Sequence, residues 1–223
     1  MTRHQYHIPA LAALAAGLAA VALAQAQAQP PAAEQGIASW YGGLFEGQRA
    51  ASGETHHQEE LTAAHRTLAF GTKVRVRRLD SGQSVVVRIN DRGPYVASRI
   101  IDLSYAAARG LGMTHPGLLP VAVEILDSPV SGQASLFAVQ AGTFRDPANA
   151  GRTLALMQQK YGVARMVLLH REVDLYSVMV GEAATQADAE TLAKTVRNVG
   201  KAYESAFVVR LDSQWDRPPG LSF

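Results

Sequence analysis

Asp91 stands at the end of a strand-like run, Val85–Asn90, and directly before the turn Arg92-Gly93-Pro94. An apolar strand is buried on at least one side, so part of the surroundings of Asp91 should be poorly solvated. Poor solvation favours the protonated form of a carboxyl group, and a rigidly held, protonated carboxyl group can act as a general acid. The alternative is that Asp91 only braces its own turn through backbone N–H groups.

Two further ionisable side chains lie in polar segments between the strand-like runs. Glu54 follows the pair Ser52-Gly53, which predicts a loop in which the carboxylate stays ionised. His65 follows the pair Ala63-Ala64, which predicts partial burial and a hydrogen-bonding role. Two carboxyl groups in different environments can divide the roles of general acid and charge-stabilising carboxylate. Taken singly, such a glutamate is usually just solvated and such a histidine is usually structural.

Three histidines, His56, His57 and His65, raise the question of a metal site. Adjacent side chains point in different directions, so the pair His56-His57 is a poor source of two ligands, and we expect no metal site. The sequence contains no cysteine, which excludes disulfides, thiolate catalysis and cysteine-ligated zinc.

The composition is that of a folded, soluble protein. Hydrophobic residues make up 48% and charged residues 18% of the 223 positions, and the formal net charge is only +2. This weak charge gives no electrostatic argument for binding to nucleic acid. A chain of this length holds one large domain or two modest ones.

The N-terminus has the order of a secretory signal peptide. Arg3 precedes an apolar, alanine-rich run, and A-x-A cleavage options end at Ala24, Ala26 or Ala28. We therefore predict a signal peptide over residues 1–28 and an exported protein without a stable membrane anchor. A retained anchor is the alternative, although the run is short and weakly hydrophobic. Without a cysteine, the new N-terminus cannot be that of a lipoprotein.

Residues 36–127 are dense in short strand signals. The strand-like runs, separated by Gly, Asp and Ser turns, are GIASWYG, KVRVRRL, SVVVRIN, RIIDLS and PVAVEIL. One short helix is predicted from its cap at Ser104 to about Gly110. The pattern predicts a compact β-barrel with a small helix.

Residues 128–135 have the composition of a linker. Residues 136–211 differ from the first region, because helical patterns alternate with strand patterns there. Two helical patterns alternate with four strand patterns in a βαββαβ order, which predicts helices on one face of an antiparallel sheet. The first of these helices has Asp146 as its cap and Pro147 at its first position. Residues 212–223 are predicted to form a loose tail.

The motifs S-W-Y-G, A-A-S-G-E, T-A-A-H and N-D-R-G-P occur in that order within residues 36–113. With them the region resembles RlpA, a family of septal peptidoglycan lytic transglycosylases with a double-psi β-barrel. The later region resembles a SPOR domain, whose V-Q-x-G-x-F signature is present at Val139–Phe144. The resemblance implies a fold of the β plus α+β class, in which a double-psi β-barrel catalytic domain precedes a small ferredoxin-like βαββαβ domain.

By position, the resemblance implies that Asp91, Glu54 and His65 are the catalytic residues. Asp91 would protonate the leaving oxygen of a glycosidic bond, and Glu54 would stabilise the positive charge on the sugar. His65 would form a hydrogen bond to a carboxylate or to the sugar and so hold that group in its orientation. The 6-hydroxyl group of the muramic acid then attacks, which gives a 1,6-anhydro end without a metal or cofactor. Arg92 is expected to turn away, because a cation close to Asp91 would oppose the acid role.

The chain departs from the family pattern at some positions. His57 stands where the family commonly has an aspartate, which bears on the rate of the reaction. Ser52 and Ala50 are milder changes. The family's lipoprotein cysteine is absent, which bears on anchoring alone.

For the second domain, the resemblance implies binding to glycan strands that have lost their stem peptides. Gln140 offers an amide to sugar groups, and Tyr176 could stack on a sugar ring; Tyr41, in the first domain, is the third candidate for contact with glycan. The implied location is the periplasm, with enrichment at the division septum and cell-division proteins as possible partners.

Two alternatives remain open from the sequence. The first is a non-catalytic glycan-binding division protein with the same fold, because expansin-like barrels offer such a precedent and His57 departs from the family pattern. The second is half of an aspartic protease, which is weaker because the sequence contains no D-T-G motif.

Overall fold

A computed structural model describes residues 33–41, 45–113, 115, 117–129, 135–169 and 174–211. The predicted signal peptide and the predicted tail lie outside the described residues, as does most of the predicted linker. Within the described part of the chain, no helix combines the length and the apolar character needed to cross a bilayer.

Six strands of the first region close into a barrel in the order β1-β5-β2-β4-β3-β6. The strands are β1 (Glu34–Trp40), β2 (Thr62–His65), β3 (Lys73–Arg78), β4 (Ser84–Asp91), β5 (Arg99–Leu103) and β6 (Leu119–Asp127). The pairs β1/β5 and β2/β4 are parallel, and the remaining neighbours are antiparallel. The predicted double-psi β-barrel is confirmed.

Alternation along the strands builds the core of the barrel. Val74 and Val76 of β3 are fully buried, whereas Arg75 and Arg77 face outward, as period-two alternation requires. The short helix α1 (Tyr105–Gly110) packs its alanines into the same core. The predicted cap is present, because the hydroxyl group of Ser104 accepts the N–H of Ala107.

Strand β2 corrects one expectation from the sequence, which treated the segment around His65 as a polar loop. All four residues of Thr62–His65 are buried, and the strand lies between β4 and β5 in the barrel wall. A four-residue strand rich in alanine carries almost no strand signal of its own. Pairing with a neighbour on each side therefore decides its structure, and that pairing is not visible in the local sequence.

A β-bulge at the end of β4 sets the direction of Asp91. Ile89 pairs with Ala63 and faces the core, but the register then shifts, so that Asp91 pairs with Ala64. Two residues of β4 thus lie opposite one step of β2, which re-aims the side chain that follows. Simple alternation would have placed Asp91 on the core side with Ile89.

The second region forms a four-stranded antiparallel sheet in the order β10-β7-β9-β8. The confirmed βαββαβ order is β7 (Leu136–Phe144), α2 (Pro147–Tyr161), β8 (Ala164–Leu169), β9 (Leu175–Ala183), α3 (Gln186–Arg197) and β10 (Phe207–Leu211), with a 3₁₀ turn at Lys201–Tyr203. Helix α2 begins as predicted, because the carboxylate of Asp146 accepts the N–H of Ala148 at 2.8 Å.

The sheet has two different faces. The helices pack on one face, whose core includes Val139, Val178 and Val180. We call the other side the helix-free face, and it consists of alternate residues of the four strands. These residues include Ala138, Gln140, Val167, Ser177, Met179, Phe207, Val209 and Leu211.

Candidate active site

The carboxyl group of Asp91 is held at three points. Its Oδ1 atom accepts the backbone N–H groups of Ala51 and Arg92, both at 2.8 Å. Its Oδ2 atom accepts the hydroxyl group of Tyr41 at 3.1 Å. The residue is only 7% exposed, so these three donors fix the direction of the carboxyl group.

Asp91 lines a small, open cleft on the outside of the barrel. Tyr41 and His56 share this cleft, with their ring centroids 5.2 Å apart in an edge-on arrangement. The remaining lining residues are Phe45, Gln48, Arg49 and Ala50. The cleft thus combines one buried carboxyl group with aromatic and polar side chains, which is a common composition for a small-ligand or sugar site.

His56 also lines the cleft, although in the sequence it suggested only a metal ligand. Burial lowers the pKa of His56, although the negative charges of Glu46 and Asp91 oppose this effect. The imidazole is therefore neutral at pH 7 and can donate or accept a hydrogen bond in the cleft. No local signal marked it, because its position depends on the fold of the loop before β2.

The guanidinium group of Arg92 contacts the barrel wall, in agreement with the expectation from the sequence. Its Nη1 atom donates to the carbonyl oxygens of His65 at 3.1 Å and Leu68 at 2.8 Å. Its central carbon lies 3.8 Å from the centroid of the Phe70 ring. These contacts satisfy a buried cation with carbonyl groups and an aromatic face.

Glu54 lies in the predicted loop, beside the end of β4. Its carboxylate accepts Nη1 of Arg88 at 2.8 Å and Nδ2 of Asn90 at 3.2 Å. Partial burial raises the pKa of Glu54, but the hydrogen bonds from Arg88 and Asn90 and the charge of Arg88 outweigh it and lower the pKa overall. Glu54 is consequently ionised at neutral pH, and its side chain is 46% exposed.

His65 is not hydrogen-bonded to either proposed catalytic carboxylate. Its Nδ1 atom accepts the backbone N–H groups of Thr67 and Leu68, both at 3.2 Å, which places the ring proton on Nε2. Nε2 lies 3.1 Å from Oε2 of Glu34. The hydrogen bond from His65 lowers the pKa of Glu34; burial opposes it, and the charges of His65 and Arg66 add to the lowering.

A second, partly buried carboxyl group, Asp102, lies near the turn that follows Asp91. Asp102 sits on β5 and pairs with Ser39 of β1, whose hydroxyl group donates to it. Its Oδ1 atom is 3.9 Å from Nη1 of Arg99. An ideal Cβ on Gly93 would lie 3.6 Å from its Oδ2 atom, so the turn passes directly over this carboxylate. In the sequence, Asp102 lies within a strand-like run, and no local signal marks it as a site residue.

The histidine pair diverges in the structure. His56 lines the cleft, whereas Nδ1 of His57 lies 3.1 Å from Oε1 of Glu46. Among the residues that the structure describes, no group of three or more His, Asp or Glu side chains is arranged to hold a metal ion.

The three candidates for glycan contact are not brought together. Tyr41 lies in the barrel cleft, Gln140 on the helix-free face, and Tyr176 on the helix side of the sheet beside Phe144. Gln140 is 2% exposed, and its Nε2 atom donates to Oγ1 of Thr143 at 2.7 Å. Tyr176 packs against the helix-side core, which leaves only part of its ring exposed.

The fold and the site together define a double-psi β-barrel with an acid-bearing cleft, joined to a βαββαβ domain. Residues 33–123 match the family model described as Lytic transglycolase, and residues 133–210 match the model described as SPOR domain. The chain is 35% identical over 201 residues to the endolytic peptidoglycan transglycosylase RlpA of Campylobacter jejuni, covering 78% of this chain and 71% of that protein. The chain belongs to the RlpA family.

Other relatives match to different extents. The probable endolytic peptidoglycan transglycosylase RlpA of Synechocystis is 59% identical over 91 residues, which are 41% of this chain and 28% of that protein. The endolytic peptidoglycan transglycosylase RlpA of Helicobacter pylori is 34% identical over 188 residues, which are 71% of this chain and 60% of that protein. The chain therefore spans about a quarter of the Synechocystis relative and less than two thirds of the Helicobacter relative.

Proposed function

We propose that the chain is an endolytic peptidoglycan transglycosylase that cuts glycan strands and leaves 1,6-anhydromuramyl ends. The observation that carries the proposal is the carboxyl group of Asp91, which the bulge of β4 turns into an outer cleft. Membership of the RlpA family supports it, because relatives of that family are named for this activity.

In the proposed first step, Asp91 gives its proton to the leaving glycosidic oxygen. The C1–O bond breaks, the departing sugar leaves with a free hydroxyl group, and positive charge grows on the muramic acid ring. In the second step, the ring's own 6-hydroxyl oxygen forms the new bond to C1, and its proton returns to Asp91. Because Oδ1 is occupied by two backbone donors, Oδ2 is the atom that exchanges the proton.

Glu54 is proposed to act as the ionised carboxylate. The hydrogen bonds that Glu54 accepts from Arg88 and Asn90 keep its carboxylate charged and connect it to the C-terminal end of strand β4. A fixed negative charge beside the site stabilises a cationic sugar more than the neutral ground state, which lowers the barrier. Tyr41 and neutral His56 line the cleft and can orient the sugar and the Asp91 carboxyl group.

His65 is proposed to be a positioning residue. Its ring fixes the backbone from Thr67 to Leu68, and the carbonyl groups of His65 and Leu68 hold the guanidinium group of Arg92. A strong cation is thereby directed to the wall instead of the catalytic carboxyl group. In this role His65 forms no hydrogen bond with Asp91 or Glu54 and acts through the backbone that it holds.

The two domains are proposed to have separate roles, and the protein is proposed to act outside the cytoplasm. We propose that residues 1–28 are removed on export to the periplasm, that residues 36–127 cut glycan, and that residues 136–211 bind strands without stem peptides at the septum. Residues 128–135 would then act as a linker and residues 212–223 as a tail. Proteins of the division machinery are the proposed neighbours in the cell.

The test is digestion of purified glycan strands by the full chain and by the Asp91→Asn variant, with mass spectrometry of the products. Anhydromuramyl ends that disappear in the variant support the proposal. Asp80→Asn is the matched control, because that exposed carboxylate pairs with Arg78 outside the cleft. Reducing ends would identify a hydrolase instead, and binding without products would identify the non-catalytic glycan binder.

A further inference from the structure

The helix-free face of the second sheet is buried, although no helix packs on it. Gln140 is 2% and Met179 is 1% exposed, and Phe207 and Val209 are below a tenth. An antiparallel sheet with helices on one side only commonly leaves its other side in water. Another part of the chain must therefore cover this face, and the barrel and the sheet belong to one compact unit.

The barrel supplies the cover through Arg66, the residue after β2. The carbonyl oxygen of Arg66 accepts the backbone N–H of Arg210 at 2.9 Å, on the edge strand β10. The guanidinium carbon of Arg66 lies 4.4 Å from the centroid of the Phe207 ring. The same guanidinium group donates to the carbonyl oxygen of Arg99 and is thus anchored on the barrel. Phe207 is the direct cross-strand neighbour of Gln140, so Arg66 sits beside the proposed glycan contact.

The contact buries groups of both domains. A small gap, with room for about one water molecule, remains between Arg92 and Tyr95 of the barrel and residues of β9 and β10, namely Met179, Val209, Arg210 and Leu211. Burial lowers the pKa of Arg66, and the charges of Glu34, Asp102 and Glu190 oppose that effect. The cost of desolvating the Arg66 cation opposes docking, so a ligand can compete with Arg66 for this face.

The polar groups of the covered face point to the ligand class. Oε1 of Gln140 and Oγ of Ser177 are buried, and neither has a hydrogen-bond partner among the residues that the structure describes. A buried polar atom without a partner is destabilising, so both atoms favour exchange of the barrel for a ligand with hydroxyl or amide groups. Amino sugars present both groups on a partly apolar ring.

From these contacts we infer that the barrel docks on the helix-free face and competes with glycan for it. This inference rests on the proposed binding of glycan by the second domain. Binding of a strand to the face requires release of Arg66, and release also uncovers Arg92 and Tyr95, which belong to the turn after Asp91. The second domain therefore binds glycan in the undocked state, and the docked state is closed to it.

A disulfide lock tests the competition, because the chain contains no native cysteine. The hydrogen bond between Arg66 and Arg210 brings the two backbones to about the 5 Å spacing of paired strands, within the Cα separations that disulfides span. The full chain with Arg66→Cys and Arg210→Cys is oxidised, and disulfide formation is verified by mass. Binding to glycan strands stripped of stem peptides by an amidase is then compared with and without reductant.

We expect the oxidised protein to bind at least about tenfold more weakly than the reduced protein, with recovery on reduction. The two single cysteine variants should not respond to reductant. Equal binding by the locked and reduced forms, or failure of the disulfide to form, would overturn the inference.

A second variant tests the same inference without a crosslink. Arg66→Ala removes the guanidinium contact with Phe207, so it should bind stripped strands several-fold more tightly than the wild type and expose the Arg210 amide to faster hydrogen exchange. Arg77→Ala, which removes an exposed arginine of β3, is the matched control and should change neither quantity. Unchanged binding and exchange in Arg66→Ala would contradict docking.

The cleavage assay keeps the two proposals separate. Loss of glycan binding by every form, with cleavage intact, would remove the binding role of the second domain and the inference with it. Normal binding in both redox states, with cleavage intact, would leave the proposed function standing and refute only the docking.

Discussion

Asp91 and Asp102 are the two cross-strand neighbours of Ala64, so both carboxylates lie in one row across β4, β2 and β5. Paired residues share a face of the sheet, which places both side chains on the outer face of the barrel wall. The small side chain of Ala64 and the turn at Gly93 fill the space between them. The carboxyl group of Asp91 faces the cleft, and that of Asp102 lies beneath the turn at Gly93 and supports it.

We expect Asp102→Asn to reduce stability and, through the turn, cleavage. The substitution weakens the hydrogen bond from Ser39 and the attraction to Arg99. Loss of a buried, charge-assisted hydrogen bond costs about 1–3 kcal/mol. Urea unfolding measures the first effect and the rate of anhydromuramyl release the second. If Asp102→Asn is as stable and as active as the wild type, Asp102 supports neither the fold nor the turn after Asp91.

Tyr41→Phe should slow cleavage while preserving the fold. The substitution removes only the hydroxyl group that donates to Oδ2 of Asp91, and the ring contacts with Phe45 and His56 remain. This hydrogen bond strengthens as Asp91 loses its proton and becomes charged in the transition state, and a hydrogen bond to a charged group corresponds to roughly a tenfold to hundredfold change in rate. Initial rates on glycan strands measure the effect, with Tyr161→Phe on α2 as the control. Equal rates would separate Tyr41 from the chemistry.

The contribution of Glu54 to stability should depend on pH. Its folded pKa is below the ordinary value of 4.5, so its contribution is present above that value and is lost as the pH falls through the folded pKa. The difference in urea midpoint between the wild type and Glu54→Gln should therefore be larger at pH 6 than at about pH 3. A difference that grows on acidification would contradict the lowered pKa.

Substitutions of His65 should distinguish positioning from direct catalysis. In His65→Ala the N–H groups of Thr67 and Leu68 lose their acceptor, which costs about 1–3 kcal/mol for each buried group. His65→Asn offers a side-chain oxygen to the same donors and should recover part of the stability and of the cleavage. Released Arg92 should also shift the pH profile of His65→Ala. If His65→Ala and His65→Asn are equally inactive but fully stable, and the pH profile of cleavage is unshifted, then His65 takes part in the reaction directly.

Gln140→Leu should weaken glycan binding with little loss of stability. The substitution removes the bond to Thr143 but also removes the buried Oε1 atom that has no partner among the described residues. The two effects on stability oppose each other. Thermal unfolding and a pull-down on stripped glycan measure the two properties. Unimpaired binding would exclude Gln140 as a sugar contact.

Strand alternation and helix caps made most of the architecture predictable. The β4 strand, the Ser104 and Asp146 caps and the βαββαβ order depend on local sequence, and all were found where expected. Strand β2 was not predictable, because its four residues are held by pairing with distant strands. The partners of His65, the place of His56 in the cleft and the row containing Asp102 depend on the same long-range pairing.

The bulge at the end of β4 determines the direction in which the side chain of Asp91 points. Without the bulge, Asp91 would follow Ile89 by two positions of plain alternation and would face the apolar interior, as Ile89 does. Redesign of this strand should therefore keep the extra residue opposite β2, because a strand of the same length without the bulge would turn the carboxyl group of Asp91 away from the cleft.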